Sequence, residues 1–150
     1  MSKIEIFTDG ASHGNPGPAG AGVYFKYGIH EKCISKYLGD NYTNNQAELY
    51  AILLAFETLK SKTIPTVIYS DSQYAINILT KGWQVNANHE LVAKLKDDIA
   101  KNFPNVRFEW VKAHSGIYGN ETADMWAQRA IKNKCDEVYT YTKGDTNGRN

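Results

Sequence analysis

Thr66-Val67-Ile68-Tyr69-Ser70 is a nearly unbroken apolar and β-branched run, the kind found in strands buried on both faces of a parallel sheet. It stops at Asp71, and Ser72 opens a helix-like stretch behind it. A parallel strand needs a crossover segment, usually a helix, so this run points to an α/β fold. Lys3-Ile4-Glu5-Ile6-Phe7-Thr8-Asp9 repeats the arrangement: strand-forming residues lead to an acid, and Gly10 begins a loop rich in glycine and proline. Open α/β sheets place their sites at such strand ends. Asp9 and Asp71 are therefore candidates for the same pocket.

Two further acids lie on helix-like segments. Asn44 to Leu59 is rich in helix formers, with Asn44 or Asn45 available as N-cap. Within it Glu48 shares a stripe with Ala51, Ile52, Ala55 and Leu59, so it points along the apolar face. A carboxylate there is expensive unless paired or bound to metal. Asp124 shares a stripe with Ala127 and Ile131 in a last helix whose start is marked by Gly119, Asn120 and Glu121. Taken singly, acids in first turns and at strand ends are ordinary. Four at positions that can converge read as a carboxylate cluster for divalent metal.

The remaining pattern places strands at about 20–27 and 31–38, joined by the hairpin turn Gly28-Ile29-His30. Helices follow at 72–80 and 89–101, broken by Gly82, then a strand at 106–111 and a helix at 120–132. Antiparallel strands first and β-α alternation afterwards predict a mixed five-stranded sheet with helices on both faces. From Cys135 the chain turns polar, so residues 1–134 are read as one catalytic domain and 135–150 as a frayed tail.

Composition narrows the class. A hydrophobic content of 42% in 150 residues suffices for a single globular core. No stretch resembles a signal peptide or a membrane span, so a cytoplasmic protein with no membrane partner is expected. Cys33 and Cys135 form no metal-ligand spacing and read as free thiols. The net charge of +1 does not advertise a nucleic-acid partner, but an acidic centre can balance a local basic surface.

Five strings carry a resemblance. They are Phe7-Thr8-Asp9-Gly10-Ala11-Ser12 with Gly14-Asn15-Pro16-Gly17-Pro18; Thr43-Asn44-Asn45-Gln46-Ala47-Glu48; Ser70-Asp71-Ser72-Gln73-Tyr74; Trp110-Val111-Lys112-Ala113-His114-Ser115-Gly116; and Asn120-Glu121 with Ala123-Asp124. In this order, over about residues 3 to 132, the chain resembles ribonuclease H of type 1. The resemblance implies endonucleolytic cleavage of the RNA strand of an RNA–DNA hybrid, leaving 5′-phosphate and 3′-hydroxyl ends. It further implies two Mg²⁺ ions, with Mn²⁺ as a substitute, ligated at Asp9, Glu48, Asp71 and Asp124, Asp9 bridging both. His114 matches an auxiliary histidine of the family, suited to proton traffic or product release. His13, His30 and His89 carry no such match.

Recognition of the hybrid is expected to rest on shape and on 2′-hydroxyls. Asn15, Asn44 and Gln73 match family positions that contact the hybrid near the cleavage site, and amides can both donate to and accept from a hydroxyl. Backbone groups from Gly10 to Ser12 are expected to help, with Thr43 and Asn45 near the DNA strand's phosphate. Between Ile78 and Leu95 the chain departs from many members. Where they carry a lysine-rich, tryptophan-bearing protrusion it has only Lys81-Gly82-Trp83-Gln84-Val85-Asn86-Ala87-Asn88-His89. Trp83 is placed either to stack on nucleic acid or to plug the join between helices. Weak, salt-sensitive binding by a monomer follows as the expectation. An integrase-like DNA nuclease and a noncatalytic hybrid-binding module are the competing readings; Glu48 and the His114 string speak against the first, and the intact set of acids against the second.

Overall fold

The computed structural model describes residues 3–142. Its strands are β1 (Ile4–Ser12), β2 (Gly17–Tyr27), β3 (His30–Tyr42), β4 (Thr66–Ser70), β5 (Val106–Trp110) and β6 (Glu137–Thr142). The helices are α1 (Asn44–Thr58), α2 (Gln73–Thr80), α3 (His89–Lys101) and α4 (Tyr118–Asn133). All six strands form one sheet in the order β5-β4-β1-β2-β3-β6. β1, β2, β3 and β6 are antiparallel neighbours, whereas β1, β4 and β5 run parallel.

Helices cover both faces, as the alternation predicts. On one face Ile6, Val23 and Ile68 meet Leu49, Ile52 and Phe56 of α1, Ala75 and Ile78 of α2, and Val92 and Leu95 of α3. On the other, Ala11 packs with Ala127 and Ile131 of α4. The close approach of α4 depends on Gly22 in β2: a Cβ there would lie 2.0 Å from the Ala123 carbonyl oxygen.

Three expectations are corrected. The sheet has six strands instead of five, because residues 137–142, expected within a polar tail, form β6 on the outer edge of β3. Val138, Tyr139, Thr140, Tyr141 and Thr142 suit a strand, and pairing satisfies the backbone groups that β3 would otherwise present to water. The rest of the expected tail, 143–150, lies outside the described residues. The α1 N-cap is Thr43, not Asn44 or Asn45: its hydroxyl accepts from the Gln46 amide at 3.1 Å while the Gln46 side chain accepts from the Thr43 amide at 2.8 Å, a reciprocal capping box. Finally, β1 runs past Asp9 to Ser12, because β2 continues to pair with it there.

Candidate active site

The parallel ladder between β1 and β4 ends at the pair Thr8 and Ser70. Asp9 and Asp71 are the next residues along the chain, and this places the two acids side by side even though β4 has ended and β1 continues. Glu48 reaches the same place from the first turns of α1. The Gly10 amide donates to its Oε1 at 2.9 Å. Carboxylate oxygens of Asp9, Glu48 and Asp71 all lie within 4.8 Å of one another. Asp124, on α4 across the sheet, borders Asp9 closely enough to raise its pKa by direct side-chain contact and by charge, and it acts on Glu48 through charge.

Electrostatics show what such crowding does. The Asp9 carboxyl is pushed up to about 11, first by burial and then by the charges of Glu48 and Asp71. Burial likewise lifts Glu48 well above the usual carboxylate range; Asp71 adds to the shift and the Gly10 amide opposes it. Without a cation, burial and mutual repulsion favour the protonated form of both carboxyls. The donors are all carboxylate oxygens, the hard ligands that Mg²⁺, Mn²⁺ or Ca²⁺ prefer, so the cluster fits a divalent metal.

The candidate substrate residues gather beside the acids. The Asn44 side chain accepts from the Ser12 amide, and the Asn15 side chain accepts from the Asn44 amide, each at 2.9 Å. The loop after β1 is thereby pinned to the start of α1. Asn15, Thr43, Asn44 and Asn45 line a cavity of about 720 Å³ together with Tyr74 and Trp83. Trp83 is half exposed there and borders an open groove, so it does not plug a helix joint. Gln73 begins α2, exposed, two residues beyond Asp71. His114 is exposed in the loop after β5 with a φ of 55°, and that loop starts where the Val111 amide donates to the Ser70 carbonyl at 2.9 Å.

Compared with known families, residues 1–132 match the RNase H model. The chain belongs to the RNase H family. A ribonuclease H from Ruthia magnifica subsp. Calyptogena magnifica is 41% identical over 143 residues, covering 87% of this chain and 97% of that one. Ribonuclease HI of Haemophilus influenzae is 38% identical over 152 residues, covering 93% and 96%. Among solved structures, LC11-RNase H1, isolated from compost by a metagenomic approach, matches with a TM-score of 0.76 and 30% identity over 89% of this chain and 99% of its own. LC11-RNase H1 in complex with an RNA/DNA hybrid matches with a TM-score of 0.74 and 29% identity, covering 88% and 99%. No helix among the described residues of this RNase H is long and apolar enough to cross a membrane.

Two residues at the RNase H site escape sequence reasoning. Asn120 reads as a marker of the α4 start, yet its side-chain amide donates to Asp71 Oδ2 at 3.2 Å. Trp110 reads as a strand residue, yet its indole N–H donates to the Asp71 carbonyl at 3.1 Å. One signal was present for Asn120: it lies one helical turn before Asp124, on the same face.

Proposed function

We propose that this chain is an endoribonuclease that hydrolyses the RNA strand of RNA–DNA hybrids with the help of divalent metal, leaving 5′-phosphate and 3′-hydroxyl ends. The observation that carries the reading is the convergence of Asp9, Glu48 and Asp71 within 4.8 Å, bordered by Asp124, in a chain of the RNase H family. The match to LC11-RNase H1 in complex with an RNA/DNA hybrid supports the substrate.

In this reading Asp9, Glu48, Asp71 and Asp124 would hold two Mg²⁺ ions, with Mn²⁺ as a substitute. Such ions would supply activation of a water and stabilisation of the departing 3′ oxygen. Glu48, held by the Gly10 amide, presents a fixed oxygen. His114, on its exposed loop, moves a proton or eases release of the product. Asn15, Asn44 and Gln73 read the hybrid near the cleaved bond, and backbone groups from Gly10 to Ser12 assist them. Thr43 and Asn45 face the DNA strand across the same groove. The catalytic unit is taken to include the edge strand β6 as well as residues 1–134, acting as a monomer in the cytoplasm.

A labelled RNA–DNA hybrid incubated with Mg²⁺, beside matched RNA and DNA duplexes, tests the reading. Cleavage confined to the RNA of the hybrid and abolished in Asp9→Asn is expected. Cleavage of duplex DNA instead would indicate the integrase-like alternative, and metal-dependent hybrid binding without turnover a noncatalytic module.

A further inference from the structure

Asp71 is gripped at two points by side chains from different elements. The Trp110 indole of β5 holds its backbone carbonyl at 3.1 Å, and the Asn120 amide of α4 holds its carboxylate at 3.2 Å. Asn120 is 2% exposed and sits in the first turn of α4; an asparagine near a helix start is most favoured one step outside it, at the cap, where it serves its own helix. Here it does not: the cap position is Ile117, which makes no side-chain capping bond. The Asn120 side chain leaves its helix and crosses to the end of β4. An ionised carboxylate has only acceptors to offer, so the amide nitrogen is the end that faces it.

We infer that Asn120 is a positioning residue for metal binding: by holding one oxygen of Asp71 it fixes the carboxylate plane, and so the direction in which the remaining lone pairs face Asp9 and Glu48. The inference rests on the proposed metal-dependent reading of the cluster. A carboxyl group crowded by two others can turn toward either of them, and the bond from Asn120 restrains that rotation. Partners that orient metal ligands in this way typically account for a 10- to 100-fold difference in metal affinity or activity. Asn120 is buried and its side-chain amide bonds to Asp71, so its effect passes through that carboxylate.

The test compares wild type with Asn120→Ala, which removes the donor, and Asn120→Leu, which removes it while keeping bulk. Mn²⁺ affinity is read by calorimetry, thermal stability in EDTA, hybrid affinity by fluorescence anisotropy in EDTA, and kcat at saturating Mg²⁺. The expected result is a Mn²⁺ Kd weakened at least ~10-fold in a variant that still melts cooperatively in EDTA, with hybrid affinity unchanged and kcat reduced. Mn²⁺ affinity within about two-fold of wild type in a folded variant overturns the inference. Failure of both variants to fold in EDTA also overturns it, since Asn120 would then serve the helix–strand joint alone. A wild type that binds Mn²⁺ but leaves hybrids intact would remove the proposed function, while the Mn²⁺ comparison would still decide the role of Asn120.

Discussion

Gly10 and Glu48 meet backbone to side chain at 2.9 Å, and a Cβ at position 10 would lie 2.3 Å from the Glu48 nitrogen and 2.2 Å from the Ala47 carbonyl carbon. Strand β1 and helix α1 thus touch with no room for a methyl group, and the same contact aims Glu48 at its neighbours. Gly10→Ala must push the helix off the strand. A loss of about 3 kcal/mol in chemical denaturation is expected, at the upper end for overpacking, with a larger fall in hydrolysis than the stability loss alone produces. A variant of wild-type stability and activity would show that the contact is not rigid.

The raised pKa values of Asp9 and Glu48 give the metal-free protein a defined pH dependence. A carboxyl whose folded pKa exceeds its unfolded value binds its proton more tightly when folded. Its contribution is therefore complete below about pH 4, where the unfolded chain is also protonated, and is lost progressively as pH rises toward the folded value near 11. In EDTA the protein should melt lower at pH 8 than at pH 5, once other groups are matched by comparison with Asp9→Asn. That variant should melt higher than wild type at pH 8 by about 3 °C for each kcal/mol relieved. A Tm in EDTA that is lower in Asp9→Asn at pH 8 would contradict the crowding of charge.

Added Mg²⁺ or Mn²⁺ should reverse this penalty. Metal at about 100 times its Kd is expected to stabilise wild type by about 2.7 kcal/mol, and Asp9→Asn to gain much less. Hydrolysis by Asp9→Asn should drop by roughly three orders of magnitude, the scale of losing a group that stabilises transition-state charge. Equal melting shifts in the two proteins would separate Asp9 from metal binding.

His114 stands exposed in its loop, so its side chain contributes little to the fold. His114→Ala should change stability by less than about 0.5 kcal/mol while lowering kcat roughly 100-fold, with hybrid affinity preserved. Turnover at the wild-type rate would leave the histidine without a catalytic part.

At the opposite end of the sheet, Glu31 is buried and its Oε1 accepts from the Tyr24 hydroxyl at 2.5 Å and the Tyr141 hydroxyl at 3.1 Å. Tyr141→Phe removes one of these donors, at a cost of about 2 kcal/mol for a half-buried bond to an acid. Hydrolysis at a temperature well below the melting point should not change, because Glu31 aligns through β2 with Glu5, four residues before Asp9. A loss of turnover matching that of the site variants would indicate coupling along the strands.

The acids were legible because each one breaks a pattern that can be read locally: an apolar run that halts at Asp71, or a helical stripe that includes Glu48 or Asp124. The sixth strand was not, since Glu137 to Thr142 sits in polar surroundings and its strand character depends on an edge of β3 that only the folded sheet supplies. The α1 cap went to Thr43 because Gln46 completes a reciprocal pair, which leaves Asn44 free to tie the loop after β1 through Ser12 and Asn15. Asn120 was hidden for another reason: its partner lies 49 positions earlier in the chain, a distance no periodicity spans.

Gly22 is the cross-strand partner of Asp9, and α4 lies against it at Ala123, the residue before Asp124. The gap between the first and fourth carboxylates is accordingly gauged by a carbon atom that β2 does not carry. Any side chain at position 22 would act as a shim, widening the mouth of the acidic cup and loosening its hold on an ion, without altering one of the residues that line it.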